Sequence, residues 1–235
     1  DTICSGGSDT LDIGAGGAYG NFTYLWSPVP SPDDTMANPV VSPAASTTYS
    51  VQVISGVCTT TTFLPLIVSD QIALTDTVTD ATCNAANNGT ATVFVSGGAS
   101  PYSFQWSANA GSQTSATATG LLAGTYTVTM TDALGCISTT SVTISQPTLL
   151  TLSTSSTSVL CNGANDGTAT VTPSGGTLPY SYLWGASAGN QTSPTATGLM
   201  SGVYNVTVTD SNNCPISVSV LVNALPAITS IGGST

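Results

Sequence analysis

The chain has 235 residues, eleven of them Asp, and no Glu, Lys, Arg or His, so its formal net charge is −11 with no cation to offset it. Nucleic acids and anionic membrane surfaces are bound through Lys and Arg meeting phosphates, so neither is an expected partner. Acid–base catalysis loses His, Glu and Lys, and metal binding contracts to hard cations held by Asp and carbonyl oxygen, which leaves calcium as the only ion in view.

Hydrophobic residues make up 40% of the chain, enough for packed cores, while charged residues are only 5%. Soluble domains ordinarily carry about a quarter, so water must be met by Ser, Thr, Asn, Gln and Gly or by attached sugar. No apolar run reaches the length of a spanning helix, so membrane insertion is not expected. The chain begins at Asp1 without Met or a signal pattern, which reads as a mature product or a piece of a longer one.

In chain order, residues 1–69 carry Cys4, the tripeptide "YLW" at Tyr24 to Trp26, the run "TTYSVQV" around Tyr49, and Cys58. Residues 70–147 repeat this skeleton from Cys83 to Cys136. In "GTYTVTMTD", Tyr126, Val128 and Met130 point one way and Thr125, Thr127 and Thr129 the other, the period of a half-buried strand; "TATVFV" and "SVTI" alternate likewise. Residues 148–225 repeat the second segment without a gap at a period of 78: Cys83 maps to Cys161, Tyr102 to Tyr180, Trp106 to Trp184, Tyr126 to Tyr204 and Cys136 to Cys214.

Short strands between "SGG", "NNG", "NDG" and "SPD" turns predict an all-β chain of three tandem immunoglobulin-like β-sandwich domains, 1–69, 70–147 and 148–225. In line they would form an elongated rod of about 100 Å. Trp26, Trp106 and Trp184 are read as core residues near a disulfide, and Tyr126 and Tyr204 as corner tyrosines whose hydroxyls bond back to the chain. The segment 226–235, "PAITSIGGST", is a tail or docking strand for a neighbouring copy. The glycines of "GAGGAYG" at 14–20 turn the chain; without a following Lys and helix they do not make a phosphate loop.

Six cysteines fall at nearly equal spacing within successive pairs: 54, 53 and 53 residues. Three similar loops predict one disulfide per domain, Cys4–Cys58, Cys83–Cys136 and Cys161–Cys214. Such bonds place the chain in an oxidising compartment, outside the cell or at its surface.

The pattern "C-N-x-A-N-[ND]-G-T-A-T-V", then "S-G-G-x-x-P-Y-S-[FY]-x-W", then "G-L-x-x-G-x-Y-x-V-T-[MV]-T-D" and a closing Cys occurs at 83–136 and again at 161–214. It resembles the SprB-type repeat of Bacteroidota cell-surface proteins. The first segment, with "YLWSP" and "NPVVSPAASTTYSVQV", looks like the PKD-like or immunoglobulin-like modules found beside such repeats. The resemblance implies extracellular display and adhesion; it names no ligand and implies no active site.

Given that resemblance, the triplets Asp1-Thr2-Ile3, Asp9-Thr10-Leu11, Asp34-Thr35-Met36 and Asp76-Thr77-Val78 look like the Bacteroidota O-glycosylation acceptor, with Thr2, Thr10, Thr35 and Thr77 as acceptors; turn hydrogen bonding is the simpler use of each. Asn21, Asn88, Asn190 and Asn205 head N-glycosylation sequons and are the weaker candidates. Asp132 and Asp210 close equivalent "TD" strand ends. They are the calcium candidates, with turn capping favoured and no cofactor expected.

These features predict a non-catalytic extracellular structural protein, either the repeating subunit of a surface filament or the stalk of an adhesin, glycosylated, whose partners are copies of itself and glycans. The alternative is a carbohydrate-binding module that stacks sugars on Tyr19, Phe22, Tyr102 or Tyr180. An Asp-dependent glycosidase would need two carboxylates facing each other across a cleft.

Overall fold

The computed structural model describes residues 1–14, 22–30, 35–161 and 163–224. Tyr19, Asn21, Asp34 and the tail at 226–235 lie outside the described residues. The chain is all-β, and among the described residues no helix is long and apolar enough to cross a membrane.

The first repeat contributes β1 (Thr2–Ile3), β2 (Asp9–Thr10), β3 (Thr23–Ser27), β4 (Val40–Val41), β5 (Thr47–Ser55) and β6 (Cys58–Val68). They form one sheet in the order β1-β6-β5-β3 and a second that pairs β2 with β4. The middle repeat contributes β7 (Ala73–Thr79), β8 (Gly89–Ser96), β9 (Ser103–Trp106), β10 (Thr117–Leu121), β11 (Gly124–Thr131) and β12 (Ile137–Ile144), in sheets β10-β8-β7 and β12-β11-β9. The third contributes β13 (Thr151–Thr157), β14 (Gly167–Ser174), β15 (Ser181–Trp184), β16 (Thr195–Leu199), β17 (Gly202–Thr209) and β18 (Pro215–Val222), in sheets β13-β14-β16 and β15-β17-β18. By contact density the chain divides into two compact units. One holds Asp1–Thr77, Ala91–Ala118 and Tyr126–Val142; the other holds Val78–Thr90, Thr119–Thr125 and Thr143–Thr235.

The two-residue period expected of half-buried strands appears in the burial. On β11, Tyr126, Val128 and Met130 are buried, and on β17, Tyr204, Val206 and Val208 are buried, while the residues between them face outward. In the third repeat these side chains meet Val159, Val171, Trp184, Leu199, Val220 and Val222 in one core drawn from both sheets. The first repeat builds a smaller core around Leu11, Trp26, Tyr49, Val51 and Leu66. Each buried Trp still satisfies its indole N–H: Trp26 donates to the carbonyl of Met36, Trp106 to that of Ser115 and Trp184 to that of Ser193, at 2.8 to 2.9 Å. Tyr204 behaves as the expected corner, its hydroxyl donating to the carbonyl of Met200 at 3.0 Å.

The repeated "SGG" has a steric cause. Gly97 and Gly175 both have φ near +80° (+76° and +79°), and a Cβ on either would lie 2.1 Å from a backbone oxygen, that of Gln71 or Leu149. The segment entering each repeat passes too close for any side chain, and only glycine adopts this conformation without cost.

The cysteines pair differently from the spacing-based expectation. The bonds are Cys4–Cys136 and Cys83–Cys214, with Cα–Cα distances of 5.5 and 5.8 Å, and Cys58 and Cys161 are free and exposed. Cys4–Cys58, Cys83–Cys136 and Cys161–Cys214 are therefore all replaced. The reason is strand direction. Cys58 opens β6, whereas Cys4 directly follows Ile3, whose partner is Val68 at the other end of β6. Ten residues at about 3.3 Å each separate the two ends by roughly 30 Å, far beyond the ~7 Å that a disulfide tolerates between Cα atoms. The third repeat has the same polarity. Cys214 precedes β18, while Cys161 lies just after Val159, which bridges to Ala224 beyond the far end of that strand. The tryptophans consequently pack without a disulfide of their own repeat beside them.

Candidate functional site

Each bond fastens one repeat to the next, at a place built from two kinds of local structure. The first partner lies in the loop that leads into the second strand of a repeat, Cys4 or Cys83; the second closes the turn between the last two strands of the following repeat, Cys136 or Cys214.

Around Cys83–Cys214 the contact is hydrogen-bonded as well as covalent. Asn212 donates through Nδ2 to the carbonyl of Thr82 at 2.9 Å, Asn84 donates through Nδ2 to the carbonyl of Pro147 at 3.1 Å, and the Ala85 N–H donates to Gln146 Oε1 at 2.7 Å. Around Cys4–Cys136, the Ser69 N–H donates to the carbonyl of Ile3 at 2.9 Å, and Ser69 Oγ lies 3.4 Å from the buried Cys136 Sγ.

The turn that carries the second cysteine is held by an aspartate. Asp132 accepts the N–H groups of Leu134 and Cys136 on Oδ1 and that of Ala99 on Oδ2, at 2.8 to 2.9 Å. Asp210 does the same for Asn212 and Cys214 on Oδ1 and Thr177 on Oδ2, all at 2.9 Å. Both side chains are buried. The N–H of Ala99, joined by those of Cys136, Leu134 and Gly135, outweighs burial and holds the Asp132 carboxyl below its ordinary value of 3.8. At Asp210 burial works upward and is the largest single influence, but the N–H donors of Cys214, Thr177 and Asn212 together bring the carboxyl below 3.8 as well. The two calcium candidates are thus occupied as turn anchors, each oriented toward peptide N–H groups. Among the described residues no three carboxylate or thiol side chains gather as a cation site.

The sugar-acceptor candidates scatter over the surface. Thr2 on β1, Thr10 on β2, Thr35 and Thr77 on β7 are exposed, as are Asn88, Asn190 and Asn205. Asn88 is engaged with Thr82, accepting its N–H and donating to its hydroxyl. Asn190 and Asn205 come together in an open cleft of about 500 Å³ on the third repeat, lined also by Leu183, Thr207, Ser217 and Ser219. Of the aromatic residues expected to stack sugars, Tyr102 and Tyr180 are half-buried. Their hydroxyls donate to the carbonyls of Gly97 and Gly175, the first glycine of each "SGG" turn. They brace that turn; Phe22 is likewise only partly exposed.

The fold and its repeated junctions define an immunoglobulin-like, all-β tandem-repeat protein. The SprB repeat family model matches it twice, at residues 75–111 and 153–189. No curated protein matches the sequence. Among solved structures, the N-terminal eight immunoglobulin domains of Down syndrome cell adhesion molecule align over 96% of this chain with 12% identity and a TM-score of 0.51; the chain spans 36% of that fragment. An I-band fragment of titin (10% identity, 96% of this chain and 95% of that one, TM-score 0.40) is more distant in shape. So are three N-terminal domains of the bacteriophage RB49 outer capsid protein Hoc, at 12% identity over 95% of this chain and 96% of that one with a TM-score of 0.38. At these identities the likeness concerns the fold alone.

Proposed function

We propose that the chain is a non-catalytic structural protein that works outside the cell as the repeating subunit of a surface filament. The observation that carries this reading is the pair of disulfides fastening each repeat to its successor in a chain whose two buried carboxylates, Asp132 and Asp210, anchor turns. Bonds placed between repeats resist extension and bending of a tandem array, which is of use to a fibre and irrelevant to a catalyst. The absence of Lys and Arg leaves no trypsin-type cleavage site, which suits material that must persist outside a cell.

Glycans at Thr2, Thr10, Thr35 and Thr77 would supply the solvation that a 5% charge content does not. In this reading the chain is displayed on the surface of a bacterium of the Bacteroidota, and its tail, 226–235, adds as a strand to the next copy. The sequence supports that step: 229–235, "TSIGGST", stands one period of 78 after 151–157, "TLSTSST", the residues that form β13 at the edge of the β13-β14-β16 sheet. In the first repeat, the corresponding sheet of described residues holds only β2 and β4, and an unpaired edge of this kind accepts a strand.

Electron cryo-microscopy of the native material tests the reading. A continuous helical fibril with one chain per step and density beyond the polypeptide at the acceptor threonines is expected. Isolated particles tethered to cells would make the chain the stalk of an adhesin instead, and polymers that remain intact after deletion of 226–235 would remove the tail from the assembly.

A further inference from the structure

Two cysteines are left over, and the pattern of the other four says what they are for. In each repeat the loop cysteine sits at the end from which the chain leaves for the next repeat, and the turn cysteine at the opposite end. The ladder runs loop to turn: Cys4 to Cys136, then Cys83 to Cys214. Cys161 is the loop cysteine of the third repeat and Cys58 the turn cysteine of the first; both are free and exposed. One unused loop position and one unused turn position are the two halves of one more such bond.

We infer that Cys161 of one copy forms a disulfide with Cys58 of the next copy, extending the ladder head to tail through the assembly. The partner is indicated by the bonded cysteines themselves, since both equivalents of Cys58 and both equivalents of Cys161 are bonded, always to the opposite type. The residues beside the free thiols agree. Val57 is 100% exposed and Leu160 is 71% exposed, and a contact that joins Cys58 to Cys161 covers both. Thr82, the equivalent of Leu160, already receives the Asn212 side chain at the internal junction.

The bond forms by oxidation of two thiols. The Cys161 thiolate attacks the disulfide of a thiol–disulfide oxidoreductase, giving a mixed disulfide and releasing one carrier thiolate. The Cys58 thiolate then attacks the Cys161 sulfur and expels the second carrier thiolate. The two protons from the cysteines end on the carrier dithiol, which has taken up the two electrons.

The inference rests on the filament reading, and the test separates the two. Full-length Cys58→Ser and Cys161→Ser chains, each incubated alone with an oxidising glutathione buffer and a disulfide oxidoreductase, should stay monomeric on non-reducing gels. Mixed, they should give a single heterodimer, and the native chain should give a ladder that collapses to monomer on reduction. Peptic peptides, required because trypsin has no site here, should join the Cys161 peptide to the Cys58 peptide of an isotopically labelled partner.

The inference is overturned if either variant alone dimerises as readily as the mixture, or if the native chain closes Cys58 to Cys161 within one molecule. It is also overturned if native material joins Cys161 to a cysteine from outside this sequence. Fibrils that form with both thiols free would sink the bond and leave the filament reading intact; chains that associate neither by disulfide nor by contact would sink both.

Discussion

Asp132 and Asp210 show how one carboxylate can organise a junction. Each gathers two N–H groups of its own turn and one from the segment after "SGG", so the same side chain holds the turn cysteine and the segment that leads into the strand carrying the central Trp. Because both folded-state pKa values lie below 3.8, their stabilisation is complete above that value and is lost as the pH falls through the lowered pKa. Thermal melts should be flat from neutral pH down to about 3.8 and then decline. Asp210→Asn should lower the neutral plateau, since an amide brings a donor to a site lined by N–H groups, and should flatten the acid decline. An unchanged acid limb in that variant would assign the acid sensitivity to other residues. The sequence showed these two aspartates at equivalent strand ends but could not separate cation binding from turn capping, because both uses place Asp beside a turn and only the direction of nearby N–H groups tells them apart.

The alternating strands were legible because burial of one face imposes a period of two, and Tyr126, Val128 and Met130 or Tyr204, Val206 and Val208 could satisfy it in only one way. The glycine pairs were legible as turns but not as close passages. Gly175→Ala should cost about 1–2 kcal/mol for the left-handed conformation alone, and more from the Leu149 oxygen 2.1 Å from the added carbon. Denaturant unfolding of the full chain would measure it, and a loss below about 0.5 kcal/mol would contradict the geometry. What spacing concealed was the end of the repeat at which each cysteine lies. Between Trp184 and Thr195 the chain makes a return pass as a one-turn 3-10 segment at Ala186–Ala188 and irregular backbone, with no strand to mark it. Three equal cysteine spacings therefore looked like three closed loops, although each pair is held apart by the length of the final strand.

At the scale of the molecule, the disulfides turn neighbouring repeats into jointly stabilised pairs. Each closes a separation of more than 130 residues, 132 for Cys4–Cys136 and 131 for Cys83–Cys214, and removal of such a bond costs about 2–5 kcal/mol. Cys83→Ser should therefore destabilise the third repeat, although the substitution lies in the middle one; hydrogen exchange along 161–222 would register it, and an effect confined to the middle repeat would count against the linkage. With −11 charges per chain, like-charged subunits repel, and salt screens that repulsion. Assembly should accelerate between about 0.01 and 0.15 M ionic strength, as light scattering would show, and slowing over that range would contradict charge repulsion as the barrier to association. Non-reducing peptide mapping of the native chain by mass spectrometry reads the staggered pairing of the cysteines directly. Cys4 should be found joined to Cys136 and Cys83 to Cys214; recovery of Cys4–Cys58, Cys83–Cys136 and Cys161–Cys214 would return each bond to its own repeat and overturn the staggered ladder.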